Sequence, residues 1–162
     1  LVSLIDIMQP VQFEAQQIII EEKSRKSNDL YIATAGHVAV TKKAPDGTEK
    51  ALAEMESPTI FGEIEFFCEL PCICTVHALS RVSAFTLSKE KFNKLLNEKN
   101  PAIMMFVYNV ARVACHRLAV ADEMLTHFIN RNDLVHVRDS LNTDIINSEK
   151  LMDISGAFKL VK

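Results

Sequence analysis

The chain has 162 residues, 48% of them apolar, with 18 Lys and Arg against 21 Asp and Glu for a formal charge of −3. That length fits one domain, or one domain with a helical appendage, and a chain of this size buries about 68–70% of its unfolded surface without disulfide staples. The near-balanced charge excludes a strongly basic nucleic-acid binder and a disordered polyelectrolyte, and 4 Gly and 5 Pro exclude collagen-like or low-complexity sequence.

The longest uninterrupted apolar run, Ala102 to Tyr108, is far short of the roughly 18 residues a bilayer span requires. The start, Leu1-Val2-Ser3-Leu4-Ile5-Asp6, has no basic n-region, which argues against a signal peptide, and the lack of an initiating Met points to processing or to a fragment. Cys68, Cys72, Cys74 and Cys115 sit among apolar neighbours, so a reduced, cytoplasmic setting is expected.

In chain order, residues 17–21 read as a strand, as does Leu30-Tyr31-Ile32-Ala33. Gly36 separates the latter from a strand over 37–42, in which Val38 and Val40 share one face and His37, Ala39 and Thr41 the other. Pro45-Asp46-Gly47-Thr48 is a turn returning the chain into a strand over 49–53. Residues 63–67 form one short helical turn, and strands follow over 73–79 and 82–87. Many short strands with turns every 8–12 residues indicate a sandwich or barrel.

The texture changes near residue 88. Ser88 is placed to cap a helix over 89–98 with Phe92, Leu95 and Leu96 on one face, and Asn100-Pro101 ends it and opens the next. Ile103, Val107, Val110, Ala114, Leu118, Ala121, Leu125 and Phe128 then recur at spacings of three and four. This apolar seam lies on a helix roughly 40 Å long, too long for a small β domain to cover, so a homodimer through Pro101 to Phe128 is expected. Glu at Val110 or Leu118 should break that dimer. The tail after Asn130 is polar, with one weak amphipathic stretch over 134–141.

The segment richest in chemistry runs from Phe61-Gly62-Glu63-Ile64-Glu65-Phe66-Phe67 through Pro71-Cys72-Ile73-Cys74 to Thr75-Val76-His77-Ala78. Gly62 lets the chain turn sharply into a short helix whose free N–H groups suit a phosphate, while Glu63 can accept hydrogen bonds from a sugar hydroxyl. With the strand–Gly–strand run over 30–40, the Asp46-Gly47 hairpin and the ungapped Thr75-Val76-His77-Ala78 closure, this segment resembles the phosphate-binding cassette of the cyclic nucleotide-binding domain family. Catabolite activator proteins and the regulatory subunits of cyclic-AMP-dependent protein kinase belong to that family, and the resemblance runs from about Phe13 to Leu125. It implies an antiparallel jelly-roll β-sandwich of about eight strands, with a short N-terminal helix and long C-terminal helices. It also implies a ligand site at Phe61, Gly62, Glu63, Ile64, Cys72, Ile73, Cys74 and Thr75, with cyclic AMP, cyclic GMP or a related phosphate-bearing ligand as the candidate.

The departures from the family pattern bear on affinity. The family usually places an arginine at the position of Cys72 to pair with the cyclic phosphate, and small residues at Ile73 and Cys74; two loop glycines are replaced near Ser24 and Pro58. Glu63, Gly62 and Thr75 are retained. A hydrogen bond to a charged group contributes roughly 1.5–3 kcal/mol, about one to two decades in affinity, so weak or altered cyclic-nucleotide binding is expected. Arg81 and Arg112 are candidate substitutes.

Other readings stand beside this one. Cys68, Cys72, Cys74 and His77 suggest a metal or redox cluster, but in an extended chain Cys72 and Cys74 share a face that His77 does not, and no dense zinc spacing is present. Cys115 and His116 on the long helix are assigned to surface or interface. No nucleophile–base arrangement stands out, so no enzyme is expected, nor a metal or membrane partner, and the polar tail over 131–162 offers no basic recognition helix for DNA. Division into a β-roll over 1–100, a helix over 101–130 and a polar tail is expected. The chain thus reads as a regulatory sensor module, or alternatively as a ligand-free dimerisation or protein-interaction domain that keeps the fold.

Overall fold

The computed structural model describes residues 4–25 and 29–126. A short helix α1 (Leu4–Ile7) leads into eight strands: β1 (Gln9–Phe13), β2 (Ile18–Ile20), β3 (Leu30–Ala35), β4 (His37–Lys43), β5 (Glu49–Glu56), β6 (Thr59–Phe61), β7 (Thr75–Ala78) and β8 (Val82–Leu87). Helix α2 (Glu63–Cys68) interrupts them between β6 and β7, and α3 (Lys89–Asn97) and α4 (Pro101–Thr126) follow. The strands form two four-stranded antiparallel sheets, ordered β1-β8-β3-β6 and β2-β7-β4-β5. This is the eight-stranded sandwich with a long C-terminal helix that the sequence implied. Strands β1 and β6 had no clear sequence signal: β1 reads Gln-Pro-Val-Gln-Phe, and β6 is three residues long.

The chain passes from one sheet to the other at a glycine between β3 and β4. Gly36, at φ +96°, sits between β3 and β4, and a Cβ there would lie 2.4 Å from the Arg81 carbonyl oxygen, so the two sheet-switching loops pack too closely for a side chain. The β4–β5 hairpin closes through Asp46, whose carboxylate accepts from the Thr48 N–H at 2.9 Å and the Thr48 hydroxyl at 2.6 Å, holding its pKa below the ordinary carboxylate value.

Two cores result. Between the sheets lie Ala33, Val38, Phe61, Val76, Ala78, Val82 and Ala84. Val38 and Val40 take the core side as the alternation required, but Ala39 and Thr41 on the opposite face are buried as well. The second core joins Leu30 and Leu87 to Phe66 of α2, Phe92 and Leu95 of α3, and Ile103, Phe106 and Val110 of α4. Ser88 accepts from the Lys91 N–H as the α3 cap, and Leu96, expected on the buried face, is 40% exposed.

The chain divides into a compact unit over Leu1–Ala111 and a second over Arg112–Lys162. The apolar seam divides with it. Ile103, Val107 and Val110 pack into the first unit's own core, so Val110 is a core residue rather than a free interface position. In the second unit Leu118 is 62% and Leu125 48% exposed. By length and composition α4 is apolar enough to cross a bilayer, with an 18-residue window of mean hydropathy 1.3, although no unbroken apolar run is that long. Three of its residues are nevertheless committed to the core beneath the β-sheets. Phe128 and the polar tail fall outside the described residues.

Candidate functional site

The cassette begins where β6 hands over to α2. Gly62 caps the helix at φ +81°, a left-handed conformation that disfavours any side chain, and a Cβ there would stand 2.7 Å from the Asp29 carbonyl oxygen. Phe61 is 2% exposed and stacks on Tyr31 with ring centroids 5.2 Å apart and planes 11° from parallel. Glu63 is half-buried in the first turn of α2, and Ile64 beside it is 42% exposed.

After α2 the chain runs back through Cys72 to β7. The Cys72 side chain is buried and forms part of the wall of a cavity of about 330 Å³, together with Ile18, Ile19, Ile20, Glu21, Ser24 and Tyr31. Of the eight sequence-predicted site residues, Cys72 is the one in this wall. Ile73 and Cys74, expected in the strand over 73–79, precede β7, which spans Thr75–Ala78; with Thr75 they are half-buried. The Thr75 hydroxyl accepts from the Glu22 N–H at 3.1 Å, and the Lys42 ammonium donates to the Ile73 carbonyl at 2.9 Å. The β2 residues, Ser24 and Tyr31 lie 41 or more positions before Cys72 in the chain, and no local signal in the sequence marked them.

A second acid lies behind this wall. Glu65 is 6% exposed, and its carboxylate accepts from the Ile73 N–H at 2.9 Å. Burial pushes the Cys72 thiol up in pKa, and the Glu65 charge adds to it. Cys74 is raised by burial too, opposed by Lys42 and reinforced by Glu65 and Glu22. The one sign of Glu65 in the sequence is a charge set inside the apolar run Ile64 to Phe67.

The candidate cations are placed elsewhere. Arg81 donates to Gln12 at 2.7 Å and pairs with Glu14 at 3.6 Å, on the edge formed by β1. Arg112 is exposed at the start of the second unit. Among the described residues no group of three His, Cys, Asp or Glu side chains is placed to hold a metal ion, and all four cysteines are free.

Comparison with known proteins agrees with this architecture. Residues 10–99 match the cyclic nucleotide-binding domain, and the chain belongs to that family. Over 97 residues it is 29% identical to the cAMP-dependent protein kinase regulatory subunit of Dictyostelium discoideum, a match covering 58% of this chain and 29% of that protein. The regulatory subunit of a cAMP-independent protein kinase A from Trypanosoma brucei is 25% identical, with a TM-score of 0.56 over 67% of this chain and 38% of that one. A cyclic nucleotide-binding domain from Methylobacillus flagellatus superposes with a TM-score of 0.73 at 18% identity, covering 79% of this chain and 72% of that one. The chain thus spans under a third of the curated relative's length.

Proposed function

We propose that this chain is a non-catalytic regulatory module whose ligand seats in the cavity between β2, Tyr31 and Cys72, and that it holds cyclic nucleotides weakly. The observation that carries the reading is an open cavity at the cassette of a cyclic nucleotide-binding fold, with a buried thiol where the resemblance calls for an arginine. The regulatory role rests on the family and on relatives that are kinase regulatory subunits, one of cAMP-dependent and one of cAMP-independent kinase. A cavity of about 330 Å³ is at the lower end for small-molecule sites.

Occupancy has a route to the helices. Phe66 of α2 is fully buried and meets Phe92 of α3 edge-on with centroids 5.1 Å apart, in the same core as Ile103 of α4. Movement of α2 by a ligand therefore repacks the base of α3 and α4, since close-packed cores shift between discrete arrangements rather than deforming continuously. Self-association through α4 belongs to the same reading, supported by the exposed Leu118, Met124 and Leu125. Free thiols suit a reducing, cytoplasmic setting.

The second reading, a ligand-free interaction domain, is favoured by that same exposed apolar surface and by the loss of the cassette arginine. Isothermal titration of the natural chain and of Cys72→Arg with cyclic AMP and cyclic GMP separates the two. Weak saturable binding that Cys72→Arg tightens by one to two decades supports the sensor. Silence in both proteins removes it in favour of the interaction domain.

A further inference from the structure

The backbone N–H groups and carbonyls of Cys72 and Ile73 are all engaged by this chain's own groups. The Cys72 N–H donates to the Ser24 carbonyl at 3.1 Å, and the Cys72 carbonyl accepts from the Lys23 N–H at 2.7 Å. The Ile73 N–H donates to a Glu65 carboxylate oxygen at 2.9 Å, and the Ile73 carbonyl accepts from the Lys42 ammonium at 2.9 Å. Lys23 and Lys42 are exposed, so water replaces those two donors readily, whereas Glu65 is 6% exposed. A buried carboxylate that lets go of Ile73 loses its donor away from water, which costs far more than breaking an exposed hydrogen bond. It regains solvation by a swing of the α2 turn that carries it.

That turn is tied on its other side as well. Phe66, the next residue, is fully buried, and its carbonyl accepts from the Lys89 ammonium of α3 at 2.6 Å. Its ring meets those of Phe67 and Phe92 edge-on, each with centroids 5.1 Å apart. Consecutive residues of α2 thus hold the segment before β7 through a side chain and α3 through a main-chain oxygen. We infer that Glu65 and Phe66 form a coupled latch: the Ile73 amide leaves Glu65 only when Phe66 also leaves Lys89, so that the cassette segment, α2 and the start of α3 open as one unit. Close packing around Phe66 gives this unit discrete closed and open arrangements rather than a graded drift. Glu65 is a positioning residue in this device. The latch operates in the ligand-free chain and does not depend on the sensor reading.

The test is native-state hydrogen exchange, followed amide by amide by NMR in the natural chain, Glu65→Ala, Glu65→Gln and Lys89→Met, with β8 amides as the internal standard. In the natural chain the amides of Phe66, Ile73 and Phe92 are expected to exchange with one common opening free energy. Glu65→Ala should speed all three by about one to two decades, and Glu65→Gln, which keeps an acceptor oxygen, should restore most of that protection. Lys89 bonds to Phe66 rather than to Ile73, so a merely local strap would leave the Ile73 amide unmoved in Lys89→Met; the latch requires it to speed up together with Phe66. An Ile73 amide that opens separately from Phe66 in the natural chain, or that keeps its rate in Lys89→Met, would overturn the latch. Exchange in Glu65→Gln as fast as in Glu65→Ala would remove the hydrogen bond from its centre. Should Glu65→Ala not fold, the natural chain and Lys89→Met decide between them. These outcomes are independent of whether any nucleotide binds.

Discussion

The backbone N–H of Lys23 donates to the Cys72 carbonyl at 2.7 Å, and the Cys72 N–H in turn donates to the Ser24 carbonyl at 3.1 Å. The loop after β2 and the cassette are therefore tied together through the main chain of Cys72, independently of its thiol. Lys23 pays for that geometry with a left-handed φ of 66°, close to where the family resemblance expects a glycine.

The thiol itself should report on pH. Its folded pKa is raised by burial and then by Glu65, so the folded state retains a proton that the unfolded state gives up. The stability this contributes is complete below the ordinary thiol range and is lost as pH rises from there through the raised folded value. Urea denaturation between pH 7 and 10 should show stability falling on the alkaline side, with a smaller fall in Cys72→Ala. At pH 8 alkylation should modify the exposed Cys68 and Cys115 before Cys72, as peptide mapping would show.

Gly62→Ala should destabilise the domain by about 2–4 kcal/mol, from a left-handed conformation that alanine disfavours and a Cβ too close to the Asp29 carbonyl. The comparison is with Gly47→Ala, where nothing lies within 4 Å of the new methyl and the cost is conformational alone. Equal midpoints in urea for the two variants would contradict the packing argument.

Glutamate at two positions of α4 should have opposite consequences. Val110 is 5% exposed in the core shared with Phe66 and Ile103, so Val110→Glu buries an unpaired charge and should cost about 4 kcal/mol or more. Leu118 is 62% exposed, and Leu118→Glu should leave stability within about 0.5 kcal/mol while converting a dimer to a monomer. Light scattering together with thermal melts reads both, and an unchanged mass for Leu118→Glu would remove the dimer through α4.

Lys89 straps α3 to the end of α2. Its ammonium donates to the Phe66 carbonyl at 2.6 Å, stands 3.5 Å from a Glu69 carboxylate oxygen, and lies 5.1 Å from the Phe66 ring centroid and 5.8 Å from that of Phe92. Lys89→Met preserves the stem and removes the charge, and should cost about 2 kcal/mol in denaturation. It should also loosen α2 in amide hydrogen exchange more than it loosens β4.

Much of the frame was legible residue by residue, because it is local. The turn at Asp46-Gly47, the cap at Ser88 and the break at Asn100-Pro101 depend on backbone preferences and on partners within a few positions. Strand β1 was not legible, since Gln9–Phe13 earns its place by pairing with β8, more than 65 residues away. Phe61 likewise reads as the head of a binding motif, yet its ring is taken by Tyr31.

By itself the sequence determined the order of short strands and long helices, the cassette spacing from Phe61 to Ala78, and the absence of an arginine from that cassette. These follow from period, turn chemistry and residue identity. Tertiary structure alone decided that Ile18–Ile20 and Tyr31 wall the cavity beside Cys72, that the Glu65 carboxylate caps the Ile73 amide, and that Val110 is buried while Leu118 faces out. The physical reason is common to all three. A side chain's chemistry is written at its own position, but its charge state, burial and partner are set by whichever distant residues the fold brings against it.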